Sequence, residues 1–304
     1  MQIPRTWFQF SLRGLLVLTF VAALGALRLE QYMKTQPRKE PPAPERGDQT
    51  DAQILRDAIR GAYSVFRPYK LHDRIEGCPC CVADSAEREL HERPLSELEG
   101  ETFGSYVWKA MTTWGDVKDF KHFLPRILEL LAFEPDALGL AAPEIAVGKL
   151  AYAKWSNWPD DEQTAVLRFL NAWWRNELHE ISEHAYESRV DSCLCAIGQA
   201  VDDLSPFLDA WRGDDDPSAC QNLARFIVHN VEGLLKKRRL TNAFWKERPL
   251  QMQSIVDWLL DPRIKESLEA AFFQTATASS AEELSSAVQQ WEWIVNSLGI
   301  KRPF

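Results

Sequence analysis

Three of the chain's six cysteines fall within four positions, in the stretch GCPCCV. Thiolates at positions i, i+2 and i+3 of one loop can share a tetrahedral metal ion, typically zinc, when further ligands come from elsewhere in the chain. Two histidines are close enough along the chain to reach such a loop. One interpretation is therefore a zinc-type metal site whose candidate ligands are Cys78, Cys80, Cys81, His72 and His91.

The same cysteines admit two other interpretations, and the sequence leaves all three open. Cys78 can form a redox-active pair with Cys80 or Cys81, although the strand and helix that frame a thioredoxin-like C-x-x-C motif are not evident here. Alternatively the stretch is a tight turn, because Gly77 permits a positive φ, Pro79 fixes its own φ, and cysteine packs well. The paired C-x2-C spacing that identifies a zinc ribbon is missing from the sequence.

A second dense polar stretch covers residues 109–126, KAMTTWGDVKDFKHFLPR. Gly115 is typical of a helix end, and Asp116 is a suitable N-cap for the helix that follows. Pro125 interrupts the apolar face of that helix and predicts a kink. Four side chains are candidates to line a pocket, and their alternative is an exposed rim, which is the usual place for charge. They are Lys109, Asp116, Asp119 and His122.

Other motifs with chemical potential are incomplete. The stretch from His179 to His184, HEISEH, resembles the H-E-x-x-H metalloprotease motif, but its histidines are five positions apart and do not share one helical face. We therefore predict a solvated helix end there. Cys193 lies on an apolar helical stripe and is predicted to be a buried packing residue. The sequence contains no P-loop, no G-x-G-x-x-G after a strand and no G-x-S-x-G elbow.

Periodic apolar positions predict helices along the body of the chain. Thr50 to Gln53 and Ser280 to Glu283 are capping-box starts, each followed by apolar residues three and four positions apart. Helices led by proline begin near residues 159, 217 and 262, at intervals too uneven for a clean repeat. Because no alternating strand pattern is present, we predict an all-α fold, either an irregular helical bundle or a HEAT-like multi-helix array.

The composition suits a folded protein and argues against one class of partner. Hydrophobic residues make up 45% of the chain and 12 residues are tryptophan, which favours a well-filled interior. The formal net charge is −9, and basic residues outnumber acidic ones at the N-terminus, so the body is acidic. An acidic body does not suit a phosphate backbone, and we expect no nucleic-acid partner.

The N-terminus, residues 1–34, is a candidate membrane segment. The run from Gly14 to Leu27 is uncharged, and residues 7–29 are long enough to cross a bilayer if Arg13 and Arg28 extend toward the headgroups. We predict one transmembrane helix, with residues 7–29 in the lipid bilayer of the bacterial inner membrane. The alternative is a cleaved signal peptide, which would leave a secreted protein. Basic residues on both sides of the run leave the side of the body open.

Residues 35–49, TQPRKEPPAPERGDQ, carry four prolines and no large apolar side chain, which is typical of an extended linker. The predicted organisation is therefore a membrane segment in residues 1–34, a Pro-rich linker in residues 35–49 and an all-helical domain in residues 50–304.

The stretch EGCPCCV, together with KAMTTWGDVKDFKHFLPRILELL, resembles a group of uncharacterised bacterial proteins that carry both blocks. The resemblance covers about residues 66–135. The leader FQFSLRGLLVLTF is similar to the short N-terminal membrane segments of planctomycete proteins. The resemblance implies no particular activity. It does imply that the two blocks belong together, so we expect the cysteine loop to pack against residues 109–126.

Two functions fit these features. The first is a membrane-tethered, all-helical interaction or scaffold domain with a protein partner, favoured by the many helices and the lack of a complete catalytic motif in the sequence. The alternative is a metal- or thiol-dependent enzyme or sensor that works through the cluster from Cys78 to Cys81.

The membrane segment makes a first testable prediction. The full-length chain should stay with the membrane fraction in high salt and leave it in detergent, because an apolar helix in a bilayer is held by burial and not by charge. Extraction with salt and then detergent, followed by immunoblotting, measures this. A chain without residues 1–34 is the matched control and should not sediment with membranes. Release of the full-length chain by salt alone contradicts the transmembrane helix.

Overall fold

The computed structural model describes residues 50–139, 141–181, 189–275 and 277–299. Within these ranges every regular element is a helix and no strand is present, so the predicted all-α fold is confirmed. The predicted membrane segment and Pro-rich linker, residues 1–49, lie outside the described residues. Of the helices that the structure describes, none is both long enough and apolar enough to cross a membrane.

Twelve α-helices make up most of the described part of the chain. They are α1 (Asp51–Phe66), α2 (Asp84–Glu92), α3 (Gly100–Lys109), α4 (Val117–Phe133), α5 (Pro143–Tyr152), α6 (Asp160–His179), α7 (Arg189–Ala200), α8 (Ser205–Arg212), α9 (Pro217–Lys237), α10 (Pro249–Leu259), α11 (Pro262–Gln274) and α12 (Ala278–Leu298). Short 3-10 turns cover Leu95–Glu97, Pro135–Leu138, Trp155–Asn157 and Ala243–Glu247.

Helix starts are stabilised by side chains that accept from the first free backbone N–H groups. At α1 the Thr50 hydroxyl accepts from the Gln53 N–H, as the sequence predicts. At α12 the prediction is wrong by one turn. Thr277, and not Ser280, caps this helix, because its hydroxyl accepts from the Ser280 N–H. Serine and threonine are both common N-cap residues, so the local pattern does not distinguish them.

The helices pack mainly against partners that are distant in sequence. Helix α1 lies against α6 and α4, α5 lies against α7, and α9 lies against α12. The neighbours α11 and α12 also pack together. Tryptophan rings fill the space between helices, and the Trp211 ring contacts Trp174 and Trp258 at centroid distances of 5.3 and 5.2 Å. Ring contacts of this kind stabilise a core beyond the area they bury.

Helix α4 carries most of the second polar stretch. It runs unbroken from Val117 to Phe133 with Pro125 inside it. The proline ring removes one backbone hydrogen bond, but Pro125 is itself buried, as are most of its neighbours along the helix. Tertiary packing therefore carries the helix through this position, and the proline does not end it.

Helix α3 approaches the 3-10 turn Pro135–Leu138 very closely at Gly104. A Cβ atom at position 104 would lie 2.0 Å from the Leu138 carbonyl oxygen, far inside any allowed contact distance. Glycine alone permits this approach because it has no Cβ. The contact therefore sets the position of α3, and with it the position of Lys109 at the end of the helix.

A buried ion pair joins α4 to α6. Lys121 Nζ lies 2.5 Å from Glu162 Oε2 and donates to the Tyr69 hydroxyl at 3.0 Å. The Tyr69 hydroxyl donates in turn to the other carboxylate oxygen of Glu162. The ammonium also lies 4.3 Å from the centre of the Trp158 ring. Each buried charge thus has several partners, which is what a low-dielectric interior requires.

His179, at the end of α6, is held between two carboxylates. Its Nδ1 lies 2.5 Å from Asp51 Oδ2 and its Nε2 lies 2.7 Å from Asp214 Oδ2. Burial on its own would lower the pKa of His179, but the two hydrogen-bonded carboxylates outweigh burial and raise the pKa. The helix does end at His179, as expected, but this side chain is largely buried between carboxylates and not solvated, while His184 lies outside the described residues.

The buried pair makes a prediction about stability. Replacing Lys121 with methionine should lower the free energy of unfolding by about 3–5 kcal/mol, because Glu162 would stay buried without its cation. Urea unfolding of the full-length chain, followed by tryptophan fluorescence, measures the change. The matched control is Lys236→Met, which breaks the exposed pair with Glu232 and should cost no more than about 0.5 kcal/mol. Equal losses for the two variants would contradict the role assigned to the buried pair.

Candidate functional site

The cysteine loop, residues 77–82, is anchored by backbone hydrogen bonds beside it. The Gly115 N–H donates to the Glu76 carbonyl oxygen at 2.6 Å. The Cys78 N–H donates to the Thr113 carbonyl oxygen at 2.8 Å. These bonds align the two blocks of the sequence antiparallel to one another, and the expectation that the loop packs against the second polar stretch is confirmed.

Trp114 closes the inner side of the cysteine loop. It forms an antiparallel bridge with Gly77 and is almost completely buried. A Cβ atom at Gly77 would lie 3.2 Å from the Val82 side chain and 3.5 Å from the Trp114 ring. Gly77 does not adopt a positive φ. Space beside Val82 is therefore tight at this position, and the reason inferred from the sequence, conformational freedom, is wrong.

The loop is closed on itself and braced from α3. The Cys78 carbonyl oxygen accepts from the N–H groups of Cys81 and Val82, at 2.9 and 3.0 Å. The Lys109 ammonium donates to the Cys81 carbonyl oxygen at 2.8 Å. The backbone that carries the three cysteines is therefore held at both ends, which restricts where their side chains can point.

The three thiols of the loop converge. The sulfurs of Cys78 and Cys80 lie 2.8 Å apart, and those of Cys80 and Cys81 lie 3.5 Å apart. All three sulfurs lie within 4.8 Å of one another. Cys80 and Cys81 are exposed and Cys78 is half-buried, so the cluster is open to solvent.

The thiols of Cys78 and Cys80 differ in acidity. The Cys80 thiol, as a hydrogen-bond donor, lowers the pKa of Cys78, and the backbone N–H of Cys80 acts in the same direction. The thiolate at Cys78 in turn raises the pKa of Cys80 to about 11. The first proton to leave the pair therefore comes from Cys78, which makes Cys78 the more nucleophilic thiol of the two.

The two histidines predicted as metal ligands have other partners. His72 Nδ1 lies 2.8 Å from Asp119 Oδ1, and His91 Nε2 lies 3.1 Å from Glu87 Oε1. His72, Asp116 and Asp119 form a group of their own, with ligand-type atoms within 4.8 Å of one another. Among the described residues, the structure thus brings the three sulfurs together and places both histidines outside that cluster.

The four residues predicted to line a pocket lie in different surroundings. Lys109 contacts the cysteine loop, and the exposed Asp116 caps α4. Asp119 is 2% exposed and accepts from the Asp116 N–H at 3.0 Å. His122 is half-buried beside the Tyr69 carbonyl oxygen, and burial lowers its pKa. The structure divides this set between the loop, the start of α4 and the buried side of α4.

A cavity of about 410 Å³ lies beside the cysteine loop. Its walls include Pro79 and Val82 from the loop, together with the charged residues Arg74, Asp84 and Glu87. Glu87 lies on α2, and Asp84 is the first residue of that helix. No spacing rule marks these residues in the sequence, because they meet only when α2 folds back onto the loop.

The remaining cysteines are buried, and sequence reasoning placed one of them correctly. Burial raises the pKa of Cys193 and of Cys195, and it raises the pKa of Cys220 to about 11. Thiols in such surroundings are poor nucleophiles and poor ligands. The prediction that Cys193 is a buried packing residue is confirmed.

No protein-family model, curated protein or solved structure matches the chain. The chemistry available at the loop is set by its own atoms. Three converging thiols on one turn offer soft sulfur ligands to a metal ion, and the thiol with the lowered pKa offers a thiolate to an electrophile.

The difference in acidity between Cys78 and Cys80 leads to a prediction about reactivity. In Cys80→Ala the pKa of Cys78 should rise, because the hydrogen-bond donor is lost, and alkylation of Cys78 near neutral pH should slow. The measurement is the pH dependence of iodoacetamide labelling of the metal-free, full-length chain, read by peptide mass spectrometry. Cys220→Ala is the matched control and should leave the Cys78 profile unchanged. A Cys78 midpoint that stays in place in Cys80→Ala contradicts the hydrogen bond.

Proposed function

We propose that the cysteine loop binds a soft metal ion, with zinc as the first candidate, and that the protein is a metal- or thiol-dependent sensor or enzyme. The observation that supports this proposal is the convergence of three thiol sulfurs within 4.8 Å on one exposed turn. Thiolate sulfur is a preferred ligand of zinc and of copper(I), whereas magnesium and calcium prefer oxygen.

Metal binding requires only a small change in the cluster. Sulfurs on one tetrahedral zinc ion lie about 3.8 Å apart, since each Zn–S bond is about 2.3 Å long. The sulfurs of Cys78 and Cys80, 2.8 Å apart, must separate, and those of Cys80 and Cys81, 3.5 Å apart, must separate slightly. Rotation of these side chains supplies the change. The lowered pKa of Cys78 favours the thiolate form that a metal ligand requires.

Three sulfurs leave one position of a tetrahedral ion open. A closed structural zinc site has four protein ligands, whereas three protein ligands and an exchangeable position are typical of a working site. His72 and His91 are engaged with carboxylates, and the cluster faces solvent. Water or a ligand from another molecule can therefore take the fourth position, which favours sensing or catalysis over a purely structural role.

Metal analysis tests this function. The full-length chain, purified without chelators, should contain about one zinc ion per molecule, because the loop supplies one set of thiolates. The double variant Cys80→Ser/Cys81→Ser should lose the zinc, and Cys220→Ser, which changes a buried thiol, should keep it. Elemental analysis and calorimetric titration of zinc into the metal-free chain give content and affinity. A wild-type chain that contains no zinc and takes up none in the titration would rule the metal function out.

A second candidate function is protein binding, as an interaction or scaffold domain. Phe272 and Phe273, near the end of α11, expose 36% and 83% of their surface, and their ring centroids lie 5.4 Å apart. Phenylalanine is enriched at protein interfaces, so an exposed pair of rings favours a protein partner here. This role is compatible with a metal site, because the two features belong to different elements.

The finer fold and the location are also proposals. The main helix pairs join elements distant in sequence, such as α1 with α6, whereas a HEAT-like array pairs neighbours. We therefore favour the irregular bundle. A single-pass anchor through residues 7–29 would hold this bundle at the bilayer, and the fractionation experiment above tests it.

A further inference from the structure

Cys78 and Cys80 lie close enough to react with one another. Their sulfurs lie 2.8 Å apart, against 3.5 Å for Cys80 and Cys81. A disulfide bond is about 2.05 Å long, so a shift of less than about 1 Å brings Cys78 and Cys80 to bonding distance. Cys80 is exposed and Cys78 is half-buried, so a small oxidant can reach the pair from solvent.

We propose that Cys78 and Cys80 form a reversible dithiol–disulfide couple, that hydroperoxides are its class of oxidant, and that disulfide formation releases the metal ion. The release of metal rests on the proposed function above. The formation of the disulfide does not, because it needs only the two sulfurs and the oxidant.

The reaction is a two-electron oxidation of the cysteine pair. The Cys78 thiolate attacks one oxygen of the hydroperoxide, the O–O bond breaks, and Cys78 becomes a sulfenic acid. The other oxygen leaves with a proton from solvent, as water or as an alcohol. The Cys80 thiol then attacks the Cys78 sulfur, the S–O bond breaks, and the hydroxyl leaves as water with the proton of Cys80. The hydroperoxide is reduced by two electrons, and the two thiols are oxidised to one disulfide.

The geometry favours this pair over the other cysteines. A bond between Cys80 and Cys81 would close a small ring across the peptide bond that joins them, and that bond strongly prefers to be planar and trans. Cys193, Cys195 and Cys220 are buried in the helical body, away from solvent.

Disulfide formation and metal binding exclude one another. Sulfurs joined in a disulfide are no longer the thiolates that zinc requires. Oxidation therefore takes away two of the three converging ligands and leaves Cys81 as the third. An exposed disulfide is open to thiol exchange, so a small dithiol should reduce it and restore the site.

The test uses the full-length chain loaded with zinc and treated with hydrogen peroxide. We expect the bound zinc to be lost, as measured with a chromogenic chelator, together with a disulfide between Cys78 and Cys80 in peptide mass spectrometry. Dithiothreitol and added zinc should restore the starting state. Cys81→Ser should bind zinc poorly and still form the same disulfide, and Cys220→Ser should behave as the wild type does.

The two proposals fail in different ways. Zinc that stays bound under peroxide, or a disulfide that pairs Cys78 with Cys81, overturns the inference and leaves the metal function standing. If the chain takes up no zinc, the metal function fails, and peroxide treatment of the metal-free chain then tests the dithiol–disulfide couple. The couple is supported if the metal-free chain forms a disulfide between Cys78 and Cys80 that dithiothreitol reduces. Sulfinic acid at Cys78 without a disulfide overturns it.

Discussion

The cysteine loop depends on its backbone pairing with the turn that precedes α4. Loop residues bury little apolar surface, so their position comes from two inter-segment backbone hydrogen bonds, from the Lys109 ammonium and from Trp114 beneath them. Each hydrogen bond contributes about 0.5–1.5 kcal/mol, which is too little to hold a loop of this length alone. The Trp114 ring supplies the rest, because it is buried against Tyr106 with ring centroids 5.5 Å apart. The thiols are thus exposed at the surface while the backbone beneath them belongs to the core.

The buried charges of the helical body are enclosed by protein partners, whereas the thiols of the loop are open to solvent. Lys121 and Glu162 are enclosed, and each is saturated by partners within the fold. A ligand from outside would have to displace those partners at a cost of several kcal/mol. The loop sulfurs face solvent and are hydrogen-bonded mainly to one another. Binding of an external metal ion, or reaction with an oxidant, therefore has a small free-energy penalty at the loop and a large one in the interior.

Local patterns in the sequence were sufficient for the all-α class of the fold and for the convergence of the cysteines. The Thr50 cap and the three thiols involve residues a few positions apart, and a sequence pattern records such spacing directly. The partners of the histidines do not follow from spacing. His72 meets Asp119 and His179 meets Asp51, at separations of 47 and 128 positions. Those contacts exist because α1, α4 and α6 pack together, which a one-dimensional pattern does not contain.

Glycine and proline positions also show that local sequence does not predict packing. Pro125 predicts a kink, and α4 continues through this position with a buried apolar face. Gly77 permits a positive φ, but its φ is not positive, and the structure instead leaves little space beside Val82. For both residues the sequence marks an unusual position, and the structural reason follows from the packing around it.

Glycine at position 104 limits how this chain can vary over evolutionary time. The atom that any other residue would strike is a carbonyl oxygen of the main chain, which cannot rotate away as the end of a side chain can. A scan of all substitutions should therefore find this position almost intolerant, although its residue has no functional group. Invariance at this position in a set of relatives would reflect a steric constraint, and it should not be mistaken for the mark of an active site.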